Sequence, residues 1–244
     1  MNSAKKTARV TGILYLIIFF ANVFAYFFVS QSLIVAGDAA TTANNIMTSE
    51  PLYRAGLVSY LIVFLSDIAV AILLYKLLNP VNKTLAMIFM VTRLMQTAVH
   101  GVNLLNFRFP SLLLSGGTYL TVFVPAQLHA ATLLFLNAHH YGVLISEAFF
   151  AVSTLLLAYL VYKSELFPGI LGILLAFAAF GYFLDSVGIF LLPQHEALFA
   201  EIMQAPAIIG EISFTLYLLI KGVRTPKQDQ PIPLQTTQAK RTAA

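Results

Sequence analysis

The fold of this chain is decided by residues 83–108, which read KTLAMIFMVTRLMQTAVHGVNLLNFR. The stretch is long and apolar enough to cross a bilayer, because about 20 such residues suffice for a transmembrane helix. It also carries Arg93, Gln96, His100 and Asn103, whose spacing of three or four residues places them along one helix face. Since a guanidinium group in hydrocarbon is costly, we expect this face to meet protein or water rather than lipid.

The composition predicts an all-α membrane protein. The 244 residues are 59% hydrophobic and 10% charged, whereas a soluble domain has roughly 25% charged residues. The apolar residues form runs of about 20, which is typical of transmembrane helices, and the shorter alternating segments of a β-barrel do not occur. The chain has no cysteine, which excludes disulfides, thiolate catalysis and Cys-ligated metals.

Six spans are predicted, at residues 10–29, 53–78, 83–108, 141–162, 170–192 and 203–220. The first apolar run is too long for a signal peptide, so we expect an uncleaved span. Asp38 is expected to cap a short helix before the second span.

Residues 118–140 fit an interfacial helix, a re-entrant piece or an extra span. We favour the interfacial helix, because a seventh span would reverse the membrane orientation of every later span and spoil the distribution of basic residues.

The distribution of basic residues predicts the topology. With the N-terminus inside, only Arg54 and Arg108 lie on the outer face, and all other Lys and Arg residues near the spans lie on the inner face. We therefore expect both termini on the cytoplasmic side of a bacterial inner (plasma) membrane. Residues 1–224 are predicted to form a single six-span domain, followed by a disordered cytoplasmic tail at residues 225–244.

Three charged residues are predicted to meet in the middle of the membrane. Counting from the lysines at the inner helix ends, at about 1.5 Å per residue, places Asp67, Arg93 and Glu211 at one depth. That depth is near the centre of a hydrocarbon layer of about 30 Å. An arginine between two acids is the arrangement that a buried charge needs. A buried cluster of these three residues is therefore expected.

A second group of polar residues is predicted nearer the outer face. His100, Glu147 and Asp185 lie at a similar depth, and with Arg54 they are expected to line an outward-facing pocket. They fit hydrogen-bonded groups of a small vestibule, a proton relay, or a Zn, Mn or Fe site. Each ligand would come singly from a different helix and no HExxH motif is present. We therefore predict no resident metal or cofactor.

Four stretches of the chain resemble a known family. They are GDAATTANNIMTSEPLYR, LYKLLNPVNKTLAMIFMVTRL, FPGILGILLAFAAFGYFLDS and APAIIGEISFTLYLLIKGV. The resemblance is to the uncharacterised bacterial membrane family catalogued as domain of unknown function 4386, and it covers about residues 8–223. It implies a bacterial integral membrane protein and no established activity. The family pattern includes the positions occupied here by Asp38, Glu50, Arg54, Asp67, Arg93, Asp185 and Glu211, but neither His100 nor Glu147.

The charged core leaves three functions open. The first is binding or passing a small molecule or a proton, read by the charged residues. The second is an intramembrane enzyme, with or without a metal, that uses His100, Glu147 and Asp185. The third is a structural or regulatory membrane subunit without chemistry. The expected partners are the lipid bilayer and, for the first function, a small molecule or proton. Nucleic acid is not expected, and the oligomeric state is left open.

Overall fold

The computed structural model describes residues 3–224, and all regular structure in that range is helical. In chain order the helices are α1 (Ser3–Val23), continued by a π-helical stretch (Phe24–Ser30) and the turn α2 (Gln31–Leu33), then α3 (Ala39–Thr48), α4 (Glu50–Leu78), α5 (Lys83–Leu113), α6 (Pro125–Lys163), α7 (Gly169–Leu191) and α8 (Glu196–Ile220). Short 3₁₀ turns lie at Thr118–Leu120 and Pro193–His195. The tail predicted at residues 225–244 lies outside the described residues.

Six helical segments of the described chain are long and apolar enough to cross a membrane. They are Ser3–Leu33, Glu50–Leu78, Lys83–Leu113, Pro125–Lys163, Gly169–Leu191 and Pro193–Ile220. The prediction of an all-α protein with six spans is confirmed at this level, and the six segments indicate a multi-pass membrane protein. Several helices extend beyond the predicted spans. Pro110 lies within α5 without ending it, so this helix continues past the predicted end at residue 108 to Leu113.

The boundary predicted at residue 140 is wrong. We expected a separate helix at residues 118–140, but α6 runs without a break from Pro125 to Lys163. Contact with α5 supports the helix at this point, since Asn103 Nδ2 donates a hydrogen bond to the His139 carbonyl oxygen at 2.8 Å. Gly142 leaves room for that side chain, because a Cβ atom there would collide with the Asn103 amide. The hydrogen bond between Asn103 and His139 and the lack of a side chain at Gly142 keep α5 and α6 close together.

The long helices form a closed ring. Each of them from α4 to α8 packs against its neighbour in sequence, α1 packs against α4, and α8 returns to pack against α1. One apolar cluster, which includes Leu74, Phe89 and Phe214, fills the ring towards the N-terminus of α1. Another, which includes Tyr53, Phe64 and Phe107, fills its other half. Asp67 on α4 and Arg93 on α5 lie between these two apolar clusters.

The ends of three helices meet at one end of the ring. Arg9 Nη2 near the start of α1 donates a hydrogen bond to the Ile220 carbonyl oxygen at 3.4 Å. The Arg224 backbone N–H donates to the Leu166 carbonyl oxygen at 2.9 Å. The start of α1, the α6–α7 connection and the end of α8 are therefore together. This end of the ring carries many of the basic residues that the topology prediction assigns to the inner face.

The short helix predicted before the second span is present as α3. Its N-cap is Asp38, whose side chain accepts a hydrogen bond from the Thr41 backbone N–H at 2.9 Å and another from the Thr41 hydroxyl at 2.7 Å. These donors favour the ionised carboxylate and hold the pKa of Asp38 below its usual value. The cap satisfies a first-turn N–H group that would otherwise have no partner within the helix.

Candidate functional site

The centre of the ring holds a buried ion pair between α4 and α5. Arg93 donates to Asp67 Oδ1 from Nε at 2.8 Å and from Nη2 at 2.6 Å. The Thr97 hydroxyl donates to Asp67 Oδ2 at 2.7 Å. Arg93 and Asp67 are 3% and 4% exposed. Both carboxylate oxygens therefore have strong donors, which is the condition under which a buried charge is tolerated.

Aromatic rings surround the guanidinium group of Arg93. Its Cζ lies 4.4 Å from the centre of the Phe150 ring on α6 and 5.8 Å from that of Tyr15 on α1. A cation over an aromatic face gains about 2 kcal/mol or more where water is excluded. Phe150 in turn meets the Tyr182 ring of α7 edge-on, at 4.8 Å between centroids. The cation is thus in contact with side chains from three other helices, namely Asp67 on α4, Phe150 on α6 and Tyr15 on α1.

A small cavity separates Arg93 from the second predicted acid, Glu211 on α8. Its volume is about 10 Å³, which is close to the minimum that holds one water molecule. Thr154 also lines it and is 2% exposed, and its hydroxyl has no hydrogen-bond partner within the described structure. Glu211 accepts a hydrogen bond from the Tyr182 hydroxyl at 2.7 Å. The predicted cluster is therefore present, with one acid bonded directly to Arg93 and the other across a water-sized space.

Glu147 and Asp185 form a second carboxyl pair. Glu147 lies on α6 and Asp185 on α7, and their side chains interact directly. Asp185 is 5% exposed. Two carboxylates in contact repel one another, so the pair is most stable when it holds a proton between its two carboxyl groups. These two members of the predicted outward-facing pocket are brought together.

The other two members of that predicted pocket lie elsewhere. Arg54 bonds to Glu50 one turn earlier on α4, and the side chains are 62% and 46% exposed. The His100 ring contacts Phe64 and His139, with ring centroids 4.9 and 6.1 Å away. The prediction of one pocket lined by Arg54, His100, Glu147 and Asp185 is therefore wrong. The predicted depth was similar for His100, Glu147 and Asp185, but the direction in which each helix face points separates His100 from the other two.

The metal-site alternative required His100 beside Glu147 and Asp185. Instead, the ring neighbours of His100 are aromatic side chains and His139. Within residues 3–224, no three His, Asp or Glu side chains are grouped so that they could hold a metal ion. The metal-dependent enzyme that uses these three residues has no support from this geometry.

Several residues of the site were missed by the sequence analysis. Tyr182 precedes Asp185 by three residues on α7, and Thr97 follows Arg93 by four on α5, so both share the face of a predicted site residue. That spacing was the available signal. His139, next to the boundary predicted at residue 140, was also missed and is buried, with 7% of its surface exposed. No pattern in the sequence indicated the role of Thr154.

Comparisons with known proteins identify the family. The profile described as "Domain of unknown function (DUF4386)" matches residues 10–222, so the chain belongs to this family, as its resemblance implied. A protein of Archaeoglobus fulgidus named "Uncharacterized protein" is 28% identical over 167 residues, which make up 68% of this chain and 83% of that protein. No solved structure matches the chain.

Proposed function

We propose that this DUF4386 protein binds and passes protons through the buried cluster of Asp67, Arg93 and Glu211. The observation that carries the proposal is the cavity between Arg93 and Glu211, which has about 10 Å³ and a hydroxyl without a partner in its wall. A space of this size admits a water molecule and excludes an organic substrate. Of the two ligands considered from the sequence, a small molecule or a proton, the proton is favoured.

The balance of charges in the cluster supports an exchangeable proton. Arg93 is already neutralised by Asp67, which bonds to it through both side-chain oxygens. Glu211 is then the second acid for one base, so the three residues together are neutral only when Glu211 carries a proton. Ionisable groups inside a membrane commonly form proton relays. Release of the Glu211 proton leaves the cluster with one net negative charge, which the Arg93 guanidinium across the cavity stabilises in part.

The proposal places the protein in the inner (plasma) membrane of a bacterium with both termini in the cytoplasm. The support is the gathering of basic residues at the end of the ring where the α6–α7 connection lies, as expected for an inner face. The opposite end, with the α7–α8 connection, would face outwards.

Cysteine labelling tests this topology, because the natural chain has no cysteine. We expect Gln194→Cys, in the α7–α8 connection, to react with a membrane-impermeant maleimide added outside intact cells. Glu165→Cys, in the α6–α7 connection, serves as the matched control and is expected to react only after the membrane is opened. Both residues are exposed. The reverse pattern of labelling would invert the proposed orientation.

Proton flux tests the function itself. Purified protein in liposomes that contain a pH-sensitive dye is expected to pass protons when a potential is imposed. Glu211→Gln cannot ionise but keeps an oxygen to accept from Tyr182, so flux is expected to fall by about 100-fold, the lower end of what a positioned proton-transfer group contributes. Glu201→Gln, an exposed acid on the same helix, is the control and should leave the flux unchanged. Equal flux in protein-containing and empty liposomes would contradict the proposal.

The same experiment separates this function from a structural subunit. The satisfied Asp67–Arg93 pair would also hold α4 and α5 in position without any chemistry. In that case Glu211→Gln would leave the permeability of the liposomes unaltered, since no proton passes in either protein.

A further inference from the structure

Asp185 is a buried acid that the cluster around Arg93 does not include. It is 5% exposed, and within the described residues its Oδ1 atom has no hydrogen-bond partner. Its direct interaction is with Glu147 on α6, and His140 on α6 and Glu196 on α8 lie within electrostatic range of it. A buried carboxyl oxygen without a donor is costly, which indicates that Asp185 has a role beyond packing.

An exposed pair of ionisable side chains lies on the outer side of Asp185. His140 Nε2 and Glu196 Oε1 are 3.1 Å apart, and the two side chains are 45% and 51% exposed. Glu196 is the first residue of α8, so the pair lies at the end of the ring that carries the α7–α8 connection. An imidazole ring nitrogen can both accept and donate a proton, and this one is open to solvent.

A further set of groups lies on the inner side of Asp185. Glu147 interacts with Asp185 and lies within electrostatic reach of Glu211 and Tyr182. The Tyr182 hydroxyl donates to Glu211 at 2.7 Å, and its oxygen remains able to accept a proton. From Glu196 to Glu211 the path follows 15 residues of α8, or about 22 Å along the helix axis. Ionisable side chains from α6, α7 and α8 are therefore spaced along this whole length.

We infer that the Glu147–Asp185 pair is the access route by which protons move between the exposed His140–Glu196 pair and Glu211. The inference rests on the proposed function, because it assigns that function a path and a side of the membrane. Asp185 interacts directly with Glu147 on α6 and lies within electrostatic range of His140 on α6 and Glu196 on α8. Glu147 lies within electrostatic range of Tyr182 on α7 and Glu211 on α8.

Each transfer along the route moves one proton and leaves no other product. The transfers begin when Glu211 releases its proton towards the cavity beside Arg93. Tyr182 then gives its hydroxyl proton to the Glu211 carboxylate and takes the proton of the Glu147 carboxyl group on its own oxygen. The protonated His140 imidazole gives its Nε2 proton to the Asp185 carboxylate and becomes neutral. Asp185 passes this proton to the Glu147 carboxylate and is ionised again, which restores the proton of the pair.

Hydrogen–deuterium exchange of the Glu211 carboxyl group tests the route without requiring net flux. The infrared carbonyl band that disappears in Glu211→Gln is assigned to Glu211, and its shift is followed after the full-length protein is moved into D₂O. Removal of a proton carrier by Asp185→Asn or Glu147→Gln is expected to slow that exchange on the order of 100-fold. Ser186→Ala and Ser146→Ala alter buried neighbours on the same helices and should leave the exchange rate unchanged.

The outcomes distinguish this inference from the proposed function. Slower exchange in both carboxyl variants supports the route, even if the wild-type protein passes no net protons in liposomes. If Glu211→Gln abolishes flux while Asp185→Asn and Glu147→Gln leave flux and exchange unaltered, the route is overturned and the function stands. Glu147→Gln provides the second reading if Asp185→Asn fails to fold, and exchange that is unaffected in the folded variant contradicts the inference.

Discussion

Replacing Arg93 with alanine is expected to lower the free energy of unfolding by about 3–5 kcal/mol, the loss typical when one partner of a buried ion pair is removed. The reason is the acid that remains. Asp67 is 4% exposed and would retain only the Thr97 hydroxyl as a side-chain donor. The substitution also removes the cation that lies over the Phe150 ring. Denaturant unfolding in lipid–detergent micelles measures the change.

The matched control is the exposed ion pair at the start of α4. Arg54→Ala breaks its bond to Glu50, and an exposed pair one helical turn apart contributes only about 0.3–0.5 kcal/mol. A double substitution, Asp67→Leu with Arg93→Met, removes both charges and should recover much of the stability lost in Arg93→Ala. If Arg93→Ala were no more destabilising than Arg54→Ala, the pair would not be buried as described.

Adding a side chain at Gly172 is expected to destabilise the contact between α6 and α7. A Cβ atom at this position would lie 2.6 Å from the Ala158 carbonyl oxygen and 2.7 Å from the Tyr162 backbone nitrogen. Because backbone atoms cannot move aside as a side chain does, the helices must separate. Overpacking of this kind costs about 1–3 kcal/mol, so Gly172→Ala should reach that range and Gly172→Leu should exceed it, as measured by unfolding in micelles.

Gly101→Ala is the control for this substitution. Its nearest neighbour would be a Phe64 ring carbon at 4.0 Å, which is ordinary contact. Alanine inside a helix is more stable than glycine by roughly 0.5–1 kcal/mol, so Gly101→Ala should raise the stability while Gly172→Ala lowers it. Changes of the same sign and size at both positions would show that close approach of α6 and α7 does not depend on Gly172.

The sequence was sufficient for the features that depend on the membrane as solvent. Apolar length predicts a span because hydrocarbon leaves backbone groups no partners outside the helix. Depth follows from counting residues, since every residue of a helix adds the same rise. The same reasoning placed Asp67, Arg93 and Glu211 at one level. In the structure Asp67 bonds to Arg93, and Arg93 and Glu211 line one cavity.

The sequence was insufficient where the depth of a residue in the membrane was the only guide to which side chain it contacts. His100 and Glu147 were predicted at a similar depth, yet the first lies against Phe64 and His139 and the second against Asp185. The helix boundary predicted at residue 140 failed for a related reason, because contact between Asn103 and His139 supports α6 there. Neither contact leaves a periodic pattern, since each joins two helices through single side chains.

The sequence by itself determined the class of protein, the number of spans and the need for acids near Arg93. Those follow from the free-energy cost of placing charges and backbone polar groups in hydrocarbon, and that cost can be read from each helix separately. Only the tertiary structure decided that Asp67 bonds to Arg93 while Glu211 stands across a water-sized cavity with Tyr182. The rotation of each helix about its own axis sets those partners, and that rotation results from packing all six long helices in one ring.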